Sequence, residues 1–156
     1  MSISADALTA LLLACAPAVH PDTGAAIVRH ESGGELWALG VNGGKVKPQP
    51  RTAAQAAAAA RVWIAAGVTV DLGLAQINSR TAARLGFTVE QVLDPCTNLR
   101  AMQQVMVENY RAGAALRGQG QGGLEAALST YNTGSPTRGL SNGYVGKVLS
   151  KAGEKK

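Results

Sequence analysis

Glu31 is the side chain whose position points first to chemistry. It closes a helix expected over residues 21–31 and is followed at once by Ser32-Gly33-Gly34. The C-terminus of a helix carries partial negative charge, which disfavours a carboxylate and raises its pKa, and apolar surroundings push the same way. A glutamic acid kept protonated near neutral pH is what general-acid cleavage of a glycosidic bond requires. The same pattern also fits a solvent-facing carboxylate at a helix end, and residue physics alone leaves both readings open. Glu35 follows a double glycine and is expected to face solvent. Asp71 is expected to cap a turn or a helix. His20 and His30 stand in no H-E-x-x-H or C-x-x-C spacing, so no metal is expected. The glycine-rich stretch 118–123 follows no strand and lacks a Lys-Ser or Lys-Thr end. It reads as a flexible loop, and no cofactor is expected.

The elements that must position Glu31 are mostly helical. Leu8, Leu11, Leu12 and Cys15 recur at helical spacing, predicting a helix over 4–15 that Pro17 ends. Pro21 and Asp22 suit the first turn of the helix that carries Glu31. Apolar residues flank Asn42-Gly43-Gly44, a hairpin signal within 37–46. Thr52-Ala53-Ala54-Gln55 and Thr88-Val89-Glu90-Gln91 are capping boxes. The alanine tract after the first predicts a helix with Val62, Trp63 and Ala66 turned inward. Residues 71–78 are apolar and glycine-containing, and 79–85 form a short helix. Thr97 can cap a long helix to about 116, with Leu99, Met102, Met106 and Tyr110 on one face. A helix over 124–131, a loop over 135–142 and a last short helix over 144–149 complete the chain. One domain over 1–150 and a polar tail at 151–156 are expected.

The composition agrees with such a fold. The 156 residues suit one core, 46% are hydrophobic, and alanine is plentiful where aromatics are scarce. The net charge of +5 is spread along the chain, with Lys45, Lys47 and Arg51 in one group and Lys147, Lys151, Lys155 and Lys156 in another. No basic run is interleaved with aromatics, so no nucleic-acid partner is expected; a solvated surface or contact with an anionic wall accounts for the charge. No stretch approaches the ~20 apolar residues of a membrane span. No basic head precedes the apolar residues 7–16, so a signal peptide is not evident here. Cys15 and Cys96 could be free buried thiols or one long-range bridge, and their spacing does not decide between them.

Three segments then combine in order: His30-Glu31-Ser32-Gly33-Gly34, Gly73-Leu74-Ala75-Gln76-Ile77-Asn78, and Tyr131-Asn132-Thr133-Gly134. With Cys15-Ala16-Pro17, Val41-Asn42-Gly43-Gly44, Asp94-Pro95-Cys96 and Asn98-Leu99, they resemble the lytic transglycosylases of the lysozyme-like superfamily. The likeness is greatest to the small ones associated with type IV secretion and conjugation, and it covers nearly the whole chain.

The resemblance implies a lysozyme-like α+β fold, mostly helical, with a small hairpin and a groove between the three segments. It implies Glu31 as catalytic acid and base, and Ser32 as a neighbour that contacts substrate. Gln76 and Asn78 would line the glycan groove. Tyr131 would hold the catalytic carboxyl by a hydrogen bond, with Asn132 shaping the same wall. The implied reaction cuts peptidoglycan between N-acetylmuramic acid and N-acetylglucosamine without water, leaving 1,6-anhydromuramyl ends. The implied setting is the periplasm, as a monomer that opens the wall for a secretion or conjugation apparatus. In that compartment a Cys15–Cys96 bridge is expected. A hydrolytic muramidase of the goose-type kind gains ground if Glu35 or Asp71 is poised across from Glu31. A non-catalytic wall-binding module on the same fold is the other alternative.

Overall fold

The computed structural model describes residues 1–153. Helix α1 (Ala5–Cys15) begins where the Ser4 hydroxyl accepts the Ala7 amide. Helix α2 (Pro21–Glu31) has proline in its first turn and buries Ala25, Ala26, Ile27 and Val28. The hairpin of β1 (Leu39–Val41) and β2 (Gly44–Lys45) turns through Asn42 and Gly43, both at positive φ, as the primed two-residue turn demands. Two further strands, β3 (Asp71–Leu72) and β4 (Ile77–Asn78), extend it to a four-stranded antiparallel sheet in the order β2-β1-β3-β4. Leu39 pairs with Leu72, and Asp71 with Asn78.

Helix α3 (Ala53–Ala65) departs from expectation. It buries Ala56, Ala57 and Ala60, whereas Val62 is 70% exposed, Trp63 is 38% exposed and Ala66 also faces solvent. The small alanine face lets this helix lie close to its neighbours, and the bulky side chains are left on the opposite side. Thr52 caps it through the Gln55 amide, but Gln55 turns its own carbonyl to the Arg51 amide, so the capping box is half formed. The box at Thr88 is complete and opens α5 (Val89–Leu93), after α4 (Ser79–Arg84).

Helix α6 (Pro95–Arg117) is the spine. It starts three residues earlier than expected because Asp94, rather than Thr97, supplies the cap, and Pro95 occupies the first turn. Leu99, Met102 and Met106 are buried along one face and Tyr110 partly so. Helix α7 (Gln121–Thr133) packs along it. The expected loop 135–142 contains a single helical turn, α8 (Arg138–Ser141). Helix α9 (Tyr144–Gly153) continues past the expected end at 149, with Tyr144, Val145 and Val148 buried against α2 and α7. The tail expected at 151–156 is therefore helical as far as Gly153, and residues 154–156 lie outside the described residues. Cys15 and Cys96 are joined by a disulfide with Cα atoms 5.4 Å apart, tying the end of α1 to the start of α6. The result is a lysozyme-like α+β arrangement, mostly helical with one small sheet. No helix among the described residues is long and apolar enough to cross a membrane.

Candidate functional site

A cleft of about 600 Å³ opens between the end of α2, the sheet and α7. Glu31 stands on one wall, the hairpin residues Gly40, Gly44 and Lys45 on a second, Asp71, Gln76 and Asn78 on a third, and Tyr131 and Asn132 close it. The three sequence segments thus meet in space.

The Glu31 carboxyl is held up to about 7. Burial is the largest cause, and the charge of Asp71 adds to it; a hydrogen bond from Tyr144 and the charge of Lys45 oppose it. The Tyr144 hydroxyl donates to Glu31 Oε2 at 2.9 Å. Burial and the neighbouring carboxyl hold this phenol far above its ordinary pKa, so it remains a donor at any working pH. Tyr144 also packs edge-on against His30, ring centroids 4.8 Å apart. Burial, with the charges of Lys151, Lys147 and Lys45, depresses the pKa of His30, which favours the neutral ring.

Tyr131 does not hold the carboxyl, contrary to expectation. Its hydroxyl donates to the Ala75 carbonyl at 2.7 Å and so fixes the β3–β4 turn against α7. That turn is under unusual constraint. Gln76 has φ of 52°, and Gly73 has φ of 74°. A Cβ on Gly73 would lie 2.6 Å from the Asn98 amide nitrogen. Asn98, fully buried on α6, donates to the carbonyls of Leu72 and Val92 and accepts from the Ala75 amide. A single side chain therefore holds both sides of the turn. Gln76 donates to the carbonyls of Ala38 and Gly73, each at 3.0 Å, and its oxygen accepts from Lys45. Gly40 is needed opposite, because a Cβ there would come within 2.7 Å of that oxygen.

Asn78 donates to Thr69 Oγ1 and to Asp71 Oδ1 at 3.0 Å, and its oxygen caps α4. Both Gln76 and Asn78 thus spend most of their polar capacity on the fold while facing the cleft. Asn132 accepts from Asn142 at 2.9 Å, which leaves its amide hydrogens uncommitted among the described residues. Ser32 is not brought to the cleft. It is buried, donating to the Val28 carbonyl and accepting the Gly34 amide, and so shapes the turn that ends α2.

Of two charged groups here, sequence reasoning weighed Asp71 only as a rival carboxyl and missed Lys45. Asp71, expected to cap a turn, lines the cleft; burial raises its pKa, against the hydrogen bond from Asn78 and the charge of Lys45. Lys45, read as part of a scattered basic surface, donates to the Glu31 main-chain carbonyl at 2.7 Å and to Gln76 Oε1 at 3.0 Å. Glu35 is exposed and outside the cleft lining, as expected.

Residues 11–151 match the transglycosylase SLT domain family. The chain is 40% identical over 144 residues to the type IV secretion system protein virB1 of Brucella suis biovar 1 (strain 1330), covering 88% of this chain and 60% of that protein. It is 38% identical over 138 residues to protein virB1 of Agrobacterium fabrum (strain C58 / ATCC 33970), covering 88% of this chain and 56% of that one. The chain thus spans somewhat over half the length of the curated relatives it matches. No solved structure matches it significantly. Every residue that lines the cleft lies within the matched span, and the chain belongs to the transglycosylase SLT domain family.

Proposed function

We propose that the protein is a peptidoglycan lytic transglycosylase whose acid and base is Glu31. The observation that carries this reading is a glutamic acid with a pKa of about 7, set in an open cleft and held there by Tyr144. A group titrating near neutrality exists in both forms at working pH, and the reaction needs both. Protonated Glu31 gives its proton to the glycosidic oxygen between N-acetylmuramic acid and N-acetylglucosamine, and the bond from that oxygen to C1 breaks. The substrate's acetamido group supports the cation-like carbon. Ionised Glu31 then takes the proton of the sugar's 6-hydroxyl as that oxygen bonds to C1. The product ends in a 1,6-anhydro ring, the enzyme is returned protonated, and water is not consumed. Gln76 and Asn78 form the floor along which the glycan lies, and the free amide hydrogens of Asn132 are available to a sugar acetamide or hydroxyl. The Tyr131 hydroxyl serves the floor's shape rather than the carboxyl.

The two curated virB1 relatives named above lead us to assign the protein to wall opening for a type IV secretion or conjugation apparatus, in the periplasm. The disulfide suits that oxidising compartment. We assign it a monomeric state and a single catalytic domain over 1–150. Ser32 keeps a supporting role, through the turn after Glu31.

A second reading, hydrolysis, is favoured by one observation: Asp71 lines the same cleft as Glu31. Two carboxyls are what a hydrolytic muramidase uses. Digestion of purified peptidoglycan by the native protein and by Glu31→Gln, read by mass spectrometry, separates the readings. The transglycosylase leaves anhydromuramyl ends, and Glu31→Gln loses at least about 100-fold in rate. Reducing ends instead mean a hydrolase, and no cleavage by either protein means a wall-binding module.

A further inference from the structure

Lys45 is an exposed residue, yet its ammonium is committed to two acceptors, the carbonyl of Glu31 itself and Gln76 Oε1. The first of these is one of the carbonyls that the end of α2 leaves without an intrahelical partner. The second belongs to the side chain that pins the β3–β4 turn. One cation therefore joins three separate pieces of the cleft: the hairpin, the end of the acid's helix and the turn of the second segment. It also stands in the cleft with both carboxyls, Glu31 and Asp71. We propose that Lys45 is a positioning residue for the reaction, an electrostatic clamp that fixes the Glu31 segment against the sheet and keeps the Glu31 carboxyl able to cycle between acid and base.

The chemistry demands some such group. Burial drives Glu31 toward its protonated form, which serves the first half of the proposed reaction and hinders the second. The groups facing it from the surrounding elements are few. Tyr144 on α9 donates a hydrogen bond that favours the carboxylate, while Asp71 on β3 favours the acid. Tyr131 on α7 is a neutral phenol whose pKa is pushed well up by burial first and then by the charges of Glu31 and Asp71. His30, next to Glu31 on α2, has a depressed pKa, and Lys147 and Lys151 act on that ring rather than standing among the causes that set Glu31. Lys45 is thus the cation that acts on Glu31, and the influence is mutual: burial lowers the lysine's pKa, and Glu31 and Asp71 raise it again. Its position at the helix end also offsets the partial negative charge there, which would otherwise raise Glu31 further.

This assignment rests on Glu31 being the acid, but its test does not depend on which product forms. The Glu31 carboxyl is followed by carbon-13 NMR from pH 4 to 9 in the native protein, Lys45→Met, Lys45→Gln and Lys45→Arg, with Glu31→Gln identifying the signal. Lys45→Met and Lys45→Gln should move the midpoint upward by roughly 0.5–1 unit, and Lys45→Arg should hold it near the native value. Lys45→Gln retains a hydrogen-bond donor without charge, so it answers the question even if Lys45→Met disturbs the hairpin. On peptidoglycan the alkaline limb of the pH–rate profile should move with the midpoint. A midpoint that stays in place or falls in Lys45→Gln, or one that Lys45→Arg fails to restore, overturns the proposal. If the native protein cuts nothing while the titration behaves as expected, the enzymatic reading fails and the clamp on Glu31 stands.

Discussion

Removing the Cys15–Cys96 bridge should cost a large share of the protein's stability. The two residues are 81 positions apart. On the chain-entropy account, closing a loop of that length withdraws about 4.5 kcal/mol of freedom from the unfolded chain. Folded single domains have total stabilities of only about 5–15 kcal/mol. For a protein of this size, each kcal/mol corresponds to about 2–4 °C, so the double substitution Cys15→Ala/Cys96→Ala should lower Tm by roughly 9–18 °C. Alanine is the right replacement because Cys15 is buried, and a hydroxyl there would add its own desolvation cost. The assay is a melt followed by circular dichroism, comparing oxidised native protein, the double variant and native protein under reductant. Neither cysteine lines the cleft, so the pH dependence of cleavage should survive below the new melting temperature. A double variant that melts within about 3 °C of the native protein would refute the loop argument. Two reactive thiols in the native, unreduced protein would refute the bridge itself.

Two further outcomes follow from Glu31. Tyr144→Phe removes a hydrogen bond to the ionised carboxyl, worth about 1.5–3 kcal/mol, so the Glu31 midpoint should rise from about 7 by roughly 1–2 units and carry the alkaline limb of the pH–rate profile with it. An unmoved limb would separate Tyr144 from the acid. The raised acid should also cost stability: its pKa is about 7 folded against 4.5 in the reference state, so the folded chain binds the proton more tightly. The Glu31 contribution to stability is then fully present below about 4.5, is lost as pH rises toward about 7 and levels off above it, a loss of about 3 kcal/mol. Denaturant titrations across that range should show a smaller loss in Glu31→Gln than in the native protein, the remaining pH dependence coming from groups such as Asp71 and His30.

Features carried by local pattern were legible in the sequence. Thr52 and Thr88 cap the helices they precede, and Asn42-Gly43 makes the hairpin turn, because a cap or a tight turn depends on a few neighbouring residues. Strands β3 and β4 were not legible: two residues each cannot display an alternation, and it is Asn98, more than 20 positions away, that shapes the turn between them. On α3 the apolar count misled. Val62 and Trp63 are the larger hydrophobes, yet close approach selects the alanines for the buried face. The helix-end argument for Glu31 had the correct sign, but Lys45 occupies that end, and burial supplies most of the shift. The carboxyl's partner was assigned to Tyr131 because it lies in a recognisable segment. The hydrogen bond comes instead from Tyr144, 113 positions from Glu31, whose surroundings of Gly143 and Val145 carry no local sign of the role.

Burial raises both carboxyls of the cleft, and the charge of Asp71 raises Glu31 further, which bears on the choice between the two reactions. For Asp71 burial prevails and raises the pKa, opposed by a hydrogen bond from Asn78 and by the charge of Lys45. Glu31 has Tyr144 as its only side-chain hydrogen-bond donor among the described residues and is driven to about 7. On the proposed function Glu31 is the acid, and Asp71 is the second carboxyl of the wall, anionic whenever it is ionised. An anionic wall lowers the energy of a cation-like sugar whichever oxygen later closes on it, so Asp71 does not by itself require hydrolysis. What decides is whether water or the sugar's 6-hydroxyl reaches C1 while Glu31 is ionised. Substituting Asp71 would slow either reaction, so it cannot tell them apart, whereas the chemical end left on the glycan strand records which oxygen arrived.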